Sequence, residues 1–106
     1  MRKGMLEYCV LLLLSHRRLY PSNILEELKE AKMIVVEGTL YTLLNRLLKE
    51  DKLTYMWQES PKGPPRKYFL MTDKGRDALK TMTEEWEEIR KSIEYFKSKS
   101  EQEPGE

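Results

Sequence analysis

The chain is short of the residues that carry most protein chemistry. A single cysteine, Cys9, stands in 106 residues, so no internal disulfide and no cysteine-rich metal site can form. Its apolar neighbours make it a small core residue in a reducing compartment. The one histidine, His16, sits in a basic connector with no nucleophile beside it in sequence, which makes it a surface residue. Glycine is sparse and nowhere clustered, which excludes a phosphate-cradling loop, and no metal-ligand spacing occurs. The carboxylates Glu84, Glu85, Glu87 and Glu88 are grouped as a solvated helix face is, not as an acid and base pair. Neither an enzyme nor a cofactor is expected. The longest apolar run, Cys9 to Leu14, falls far below the roughly 18 residues of a membrane span. Arg2 and Lys3 precede it as in a signal peptide, but the run is too short and no small-residue cleavage site follows. A cytoplasmic location is the expectation.

Excess charge of one sign is also missing, since the net charge is only +1. The total conceals an asymmetry. Residues 1–71 carry 12 Lys/Arg against 8 Asp/Glu, whereas residues 72–106 carry 7 against 10. A basic front joined to an acidic end suits a protein that binds phosphates with one part and its own copy with the other. A chain of this length buries only roughly two-thirds of its unfolded surface, so a lone monomer is modestly stable.

What is present is helical periodicity interrupted once. Arg2 to Ser15 reads as a helix, with Met5, Leu6, Cys9, Val10, Leu12 and Leu13 covering more than one stripe. After the connector His16 to Tyr20, Pro21 and Ser22 mark a second helix, Ser22 being a candidate cap, which ends near Lys32. Met33 to Val36 connects to a third helix running from Glu37 or Gly38 to about Glu50. In it Leu40, Leu43, Leu44, Leu47 and Leu48 recur at three and four residues, turning Thr39, Thr42, Asn45, Arg46 and Lys49 outward. Leu53 to Gln58 alternates as a strand with Tyr55 and Trp57 on one face, residues 60–65 form a turn, and Lys67 to Met71 return. Thr72 caps a last helix whose Leu79, Met82, Trp86, Ile89, Ile93 and Phe96 make a heptad seam. The fold class is α+β, mainly α: a winged helix-turn-helix domain over 1–71, a dimerisation helix over 72–97, and a disordered tail over 98–106.

Two groups of residues point to double-stranded DNA. The major groove admits one helix, and Gly38, Thr39, Thr42 and Asn45 on the exposed side of the third helix could reach base edges, with Tyr41 giving a phosphate contact. Read alone, this is equally an ordinary amphipathic helix with a solvated face. The hairpin adds Lys62, Arg66 and Lys67 around a turn stiffened by Pro64 and Pro65, and phosphate neutralisation would supply most of the affinity. For the seam, Leu79 to Phe96 spans about 25 Å at 1.5 Å per residue, more than so small a core can cover, so a second copy of the chain is expected along it. Trp86 is either a core knob or the wall of an effector pocket. A protein-interaction scaffold that keeps the shape without binding DNA is the competing class.

The sequence resembles the PadR-like transcriptional regulators from about Arg2 to Trp86. The resemblance is carried by Lys3-Gly4-Met5-Leu6-Glu7, Leu19-Tyr20, Glu37-Gly38-Thr39-Leu40-Tyr41 with Leu44, Arg46 and Leu47, and Gly63-Pro64-Pro65-Arg66-Lys67-Tyr68 with Leu70, Thr72 and Gly75. It implies a dimeric winged helix-turn-helix protein, usually a repressor on a palindromic operator, released by a small hydrophobic or aromatic effector. The short C-terminal region is similar to that of the smaller subgroup, in some members of which a tryptophan placed like Trp86 lines a drug-binding cavity. Three positions depart from the pattern: Pro21-Ser22 stands for Gly-Tyr, Thr42 for a proline, and Asp51 for a glycine of a left-handed turn.

Overall fold

The computed structural model describes residues 2–102, with side chains from Gly4 onward. The elements run α1 (Arg2–Leu14), α2 (Pro21–Glu30), α3 (Glu37–Lys49), β1 (Leu53–Ser60), β2 (Gly63–Met71) and α4 (Asp73–Gln102). One core unites the first five. Val10, Leu11 and Leu14 of α1 meet Leu19, Ile24 and Leu28, the α3 leucines 40, 43, 44 and 47, and Leu53 and Phe69 of the hairpin. On α1 the deepest side chains are therefore Val10, Leu11 and Leu14, while Met5 and Leu12 stay exposed. Cys9 Sγ lies 3.8 Å from Met33 Sδ, and burial pushes its thiol pKa up, which keeps it protonated and unreactive.

Both turns that reverse the chain after a helix use a left-handed residue. Lys32 has φ 67° and Asp51 φ 61°. In each turn the next amide reaches back to the helix: Met33 N–H donates to Leu28 O at 2.8 Å, and Lys52 N–H to Leu47 O at 2.9 Å. These are Schellman closures in which an exposed side chain has taken the place that glycine fills most readily.

At α2 the expected cap is replaced. Asn23 Oδ1 accepts from the Tyr20 amide at 3.4 Å, leaving the Ser22 hydroxyl for a partner on the hairpin. Leu19, inside what reads as a polar connector, exchanges both backbone hydrogen bonds with Phe69, at 3.2 and 2.8 Å, and so adds a bridge to the wing. That pairing is 50 residues away in sequence, beyond anything local periodicity reports.

The hairpin is longer and its turn tighter than 60–65. Leu53 pairs with Met71 and Gln58 with Arg66, the ladder slips once near Glu59, and Ser60 meets Gly63, leaving Pro61 and Lys62 at the tip. Pro64 and Pro65 belong to β2, in the irregular stretch where their missing amide donors do least harm.

Thr72 caps α4: its hydroxyl accepts from Gly75 N–H at 3.0 Å and donates to Asp51 O at 2.6 Å. Gly75 is buried, and a Cβ there would collide with the Lys52 carbonyl, so its lack of a side chain sets how closely α4 approaches the hairpin base. The helix continues through Gln102, five residues past the expected stop at Lys97. Ser98 to Gln102 contains no breaker, Pro104 and Gly105 being the first, and a helix already propagating adds such residues at little cost. Residues 103–106 of the expected tail lie outside the described residues. No helix among the described residues is long and apolar enough to cross a membrane.

Candidate nucleic-acid interface

Leucine spacing fixes the orientation of α3. With Leu40, Leu44 and Leu47 fully buried and Leu43 nearly so, Gly38, Thr39, Tyr41, Thr42 and Asn45 are all exposed. The exposed side has two flanks. Gly38, Thr39 and Thr42 line an open groove of about 640 Å³ against Leu6 of α1 and Val36, and Tyr41 lines a smaller cleft facing the hairpin. At Gly38 an added Cβ would meet nothing, so no packing inside the protein calls for glycine there.

Arg46, turned outward with these residues by the same periodicity, is occupied elsewhere. Its guanidinium holds Glu7 of α1 at 2.7 Å and Glu50 at 3.1 Å, and Lys52 Nζ lies 3.1 Å from Glu50. Lys52 first and Arg46 second hold the Glu50 carboxyl below its ordinary pKa, and the Glu7 hydrogen bond raises that of Arg46. This network ties α1, the end of α3 and the hairpin base together.

Strand alternation sends the two wing cations to opposite faces. Lys67 Nζ sits 4.3 Å from the Tyr55 ring centroid, with Trp57 and Phe69 at 5.8 and 5.5 Å. Arg66 points the other way, its guanidinium 3.7 Å from the Tyr20 centroid and 3.4 Å from Ser22 Oγ. On that same face Arg18 lies 4.6 Å over Tyr68 and donates to its hydroxyl at 3.3 Å. Lys62 is exposed at the tip. Arg18, Tyr20 and Ser22 are absent from the DNA-contacting residues expected from sequence, because only the Leu19 bridge brings them to the wing.

The heptad seam divides in two. Leu79 and Met82 pack on the domain's own core, and Trp86 stacks on Tyr8 of α1, centroids 5.9 Å apart and planes 7° from parallel. Tyr8 also donates to Thr83 Oγ1 at 3.1 Å. Beyond that point Ile89, Ile93 and Phe96 are 36%, 52% and 66% exposed.

Three helices followed by a two-stranded hairpin, with the third helix and the hairpin presenting polar and cationic side chains on adjoining faces, define a winged helix-turn-helix protein. The family model for PadR-like transcriptional regulators matches residues 10–81, and the chain belongs to that family. It is 51% identical to a PadR-like transcription factor of Bacteroides fragilis of known crystal structure, over 91% of this chain and 93% of that one, with a TM-score of 0.81. A PadR-like regulator of Bacillus cereus is 32% identical, over 89% and 92% of the two chains, with a TM-score of 0.78. Bacillus subtilis PadR, solved with operator DNA, shares the fold at 24% identity and a TM-score of 0.67, over 73% of this chain and 45% of that one.

Proposed function

We propose that this regulator binds double-stranded DNA as a cytoplasmic homodimer and acts as a repressor on a palindromic operator. The observation that carries the reading is the adjoining of the exposed α3 face, Gly38 to Asn45, with a wing whose cations have no carboxylate partner among the described residues. Gly38 adds weight, because a bare backbone that serves no internal packing leaves room for another molecule. The complex of B. subtilis PadR with operator DNA supports the same use of the fold here. In a two-fold dimer the two α3 helices would meet half-sites one turn, ~34 Å, apart. Titrating fragments of the host genome in a mobility-shift assay should give binding that weakens steeply with salt. Absence of binding at low salt would favour a protein-interaction scaffold, for which Trp57, 60% exposed on the other face of the wing, is a ready contact.

An effector near Trp86 is part of the proposal. A flat hydrophobic molecule could extend the Tyr8–Trp86 stack between two α4 helices and change the separation of the α3 pair, shifting the dimer away from the operator-fitting state. Because Trp57 also emits, the measurement uses Trp57→Phe. Quenching of Trp86 together with reduced DNA affinity is the expected result, and neither changing across a panel of planar hydrophobic ligands would end the effector role.

A further inference from the structure

The loop that follows α2 ends at Val36, the N-cap of α3. Its backbone is extended, at φ −68° and ψ 139°, and its carbonyl accepts from Leu40 N–H at 3.2 Å. At this position a serine, threonine or aspartate side chain would satisfy a free amide of the first turn, and valine makes no such bond. Glu37 in the first turn offsets part of the loss through the helix dipole. The side chain does not serve the core either, being 73% exposed. A single exposed valine is ordinary on a protein surface. This one is set apart by its place. N-cap and third-turn-position side chains lie side by side, so Val36 adjoins Thr39, and Gly38 between them has no Cβ where an added one would meet nothing. With Leu6, Thr42 and Leu43 they line the open groove of about 640 Å³. Ile34, still more exposed at 88%, is not among the lining residues. Arg46, the charged residue on this lining, is engaged by Glu7 and Glu50. Methyl groups and hydroxyls, with that charge already paired, thus flank the start of the helix that would enter the major groove. The apolar group which a major groove presents is the C5-methyl of thymine.

We propose that Val36 is a specificity-determining residue whose methyl groups, flanked by that of Thr39, pack on the C5-methyl of one thymine in each half-site. The missing Cβ of Gly38 lets the base edge approach. The inference rests on the DNA-binding function proposed above and deepens it. Hydrogen bonds from Thr39, Thr42 or Asn45 do not separate thymine from uracil, whereas an apolar contact does. A residue that breaks the local capping rule without any gain in the core is what a site kept for an outside partner looks like. The helix forgoes a cap and the protein gains selectivity for a methyl group.

The probe is the duplex that the wild-type chain selects from a random-sequence pool, remade with deoxyuridine in place of each thymidine in turn. That exchange removes the methyl and leaves the hydrogen-bonding edges as they were. At one thymine in each half-site the wild type should lose about fourfold in affinity, the worth of one buried methyl, and Val36→Ala should bind the two versions equally. Val36→Ser restores a cap, so it should likewise ignore the methyl while melting roughly 4–8 °C above the wild type. A methyl dependence of the same size in the wild type and both variants, or a selected site indifferent to every methyl, overturns the contact at Val36. So does a lower melting temperature in both variants, since the valine would then be held for the fold. A wild-type chain that selects no duplex brings down the DNA-binding function itself, a result distinct from these.

Discussion

Two side chains bear a backbone conformation that costs them differently. In the left-handed region, L-residues lose roughly 1–2 kcal/mol, and aspartate escapes part of that through local hydrogen bonding whereas lysine does not. Lys32 and Asp51 occupy equivalent places in their turns, at φ 67° and 61°. Lys32 is exposed and makes none of the ion pairs among the described residues, so little is lost with its side chain. Lys32→Gly should therefore stabilise the protein by about 1 kcal/mol and Asp51→Gly by about half as much. Urea midpoints of the two variants against the wild type decide this, and equal shifts would contradict the assigned cost. That Asp51 takes over a glycine's turn followed from the resemblance, whose pattern has glycine there. The Lys32 turn was not, since lysine carries no signal for such a conformation.

At the scale of elements, the three-way junction of α1, α3 and the hairpin base depends on ionised carboxylates. Glu50 has a folded pKa below its ordinary value of 4.5, so its contribution is fully present above that pH and is lost as pH falls through the lowered value. Acidification from pH 7 toward 3 should thus lower the wild-type urea midpoint more than that of Glu50→Gln, in which position 50 no longer titrates. Coincident profiles would show the junction to be electrostatically idle. Partly exposed pairs of this kind contribute little each, which is why the comparison is one of slopes. The elements themselves were readable from leucine spacing, proline placement and the Thr72 cap. Their contacts were less so: periodicity turned Arg46 outward, which gives its direction from the helix axis but not the Glu7 that stands opposite. The slipped ladder near Glu59, which absorbs the two prolines into β2, was likewise invisible to a reading that took them as turn formers.

The whole molecule is elongated, 68 × 26 × 21 Å, with a radius of gyration of 17.6 Å where about 13 Å is usual for a compact domain of this length. The excess is α4, whose outer half carries Ile93, Tyr95 and Phe96 into solvent. If a second copy covers them, as proposed, each apolar side chain buried contributes roughly 1.5–3 kcal/mol to association. The double variant Ile93→Asp with Phe96→Asp should then convert a dimer into a monomer by light scattering, at unchanged helix content, and lose most DNA affinity because paired half-sites are no longer engaged together. A dimeric double variant would place the interface elsewhere, and a monomeric wild type would overturn the dimer itself.

The sequence by itself determined the order and kind of the elements, the leucines that form the core of α3, the membership of a winged-helix family and the polar character of the face that α3 turns outward. Apart from the family, which the resemblance of its motifs gave, these follow from spacing within a dozen residues, the range over which a helix or strand imposes its period. Only the tertiary structure decided that Leu19 joins the wing, that Arg66 lies on Tyr20 while Lys67 lies on Tyr55, and that the α4 seam is spent on its own core as far as Trp86 and exposed after it. Apart from Lys67 on Tyr55, 12 positions apart across the hairpin, those depend on pairings between residues 44 to 78 positions apart, such as Ser22 with Arg66 and Tyr8 with Trp86, and the chemistry of either partner alone does not reveal the other.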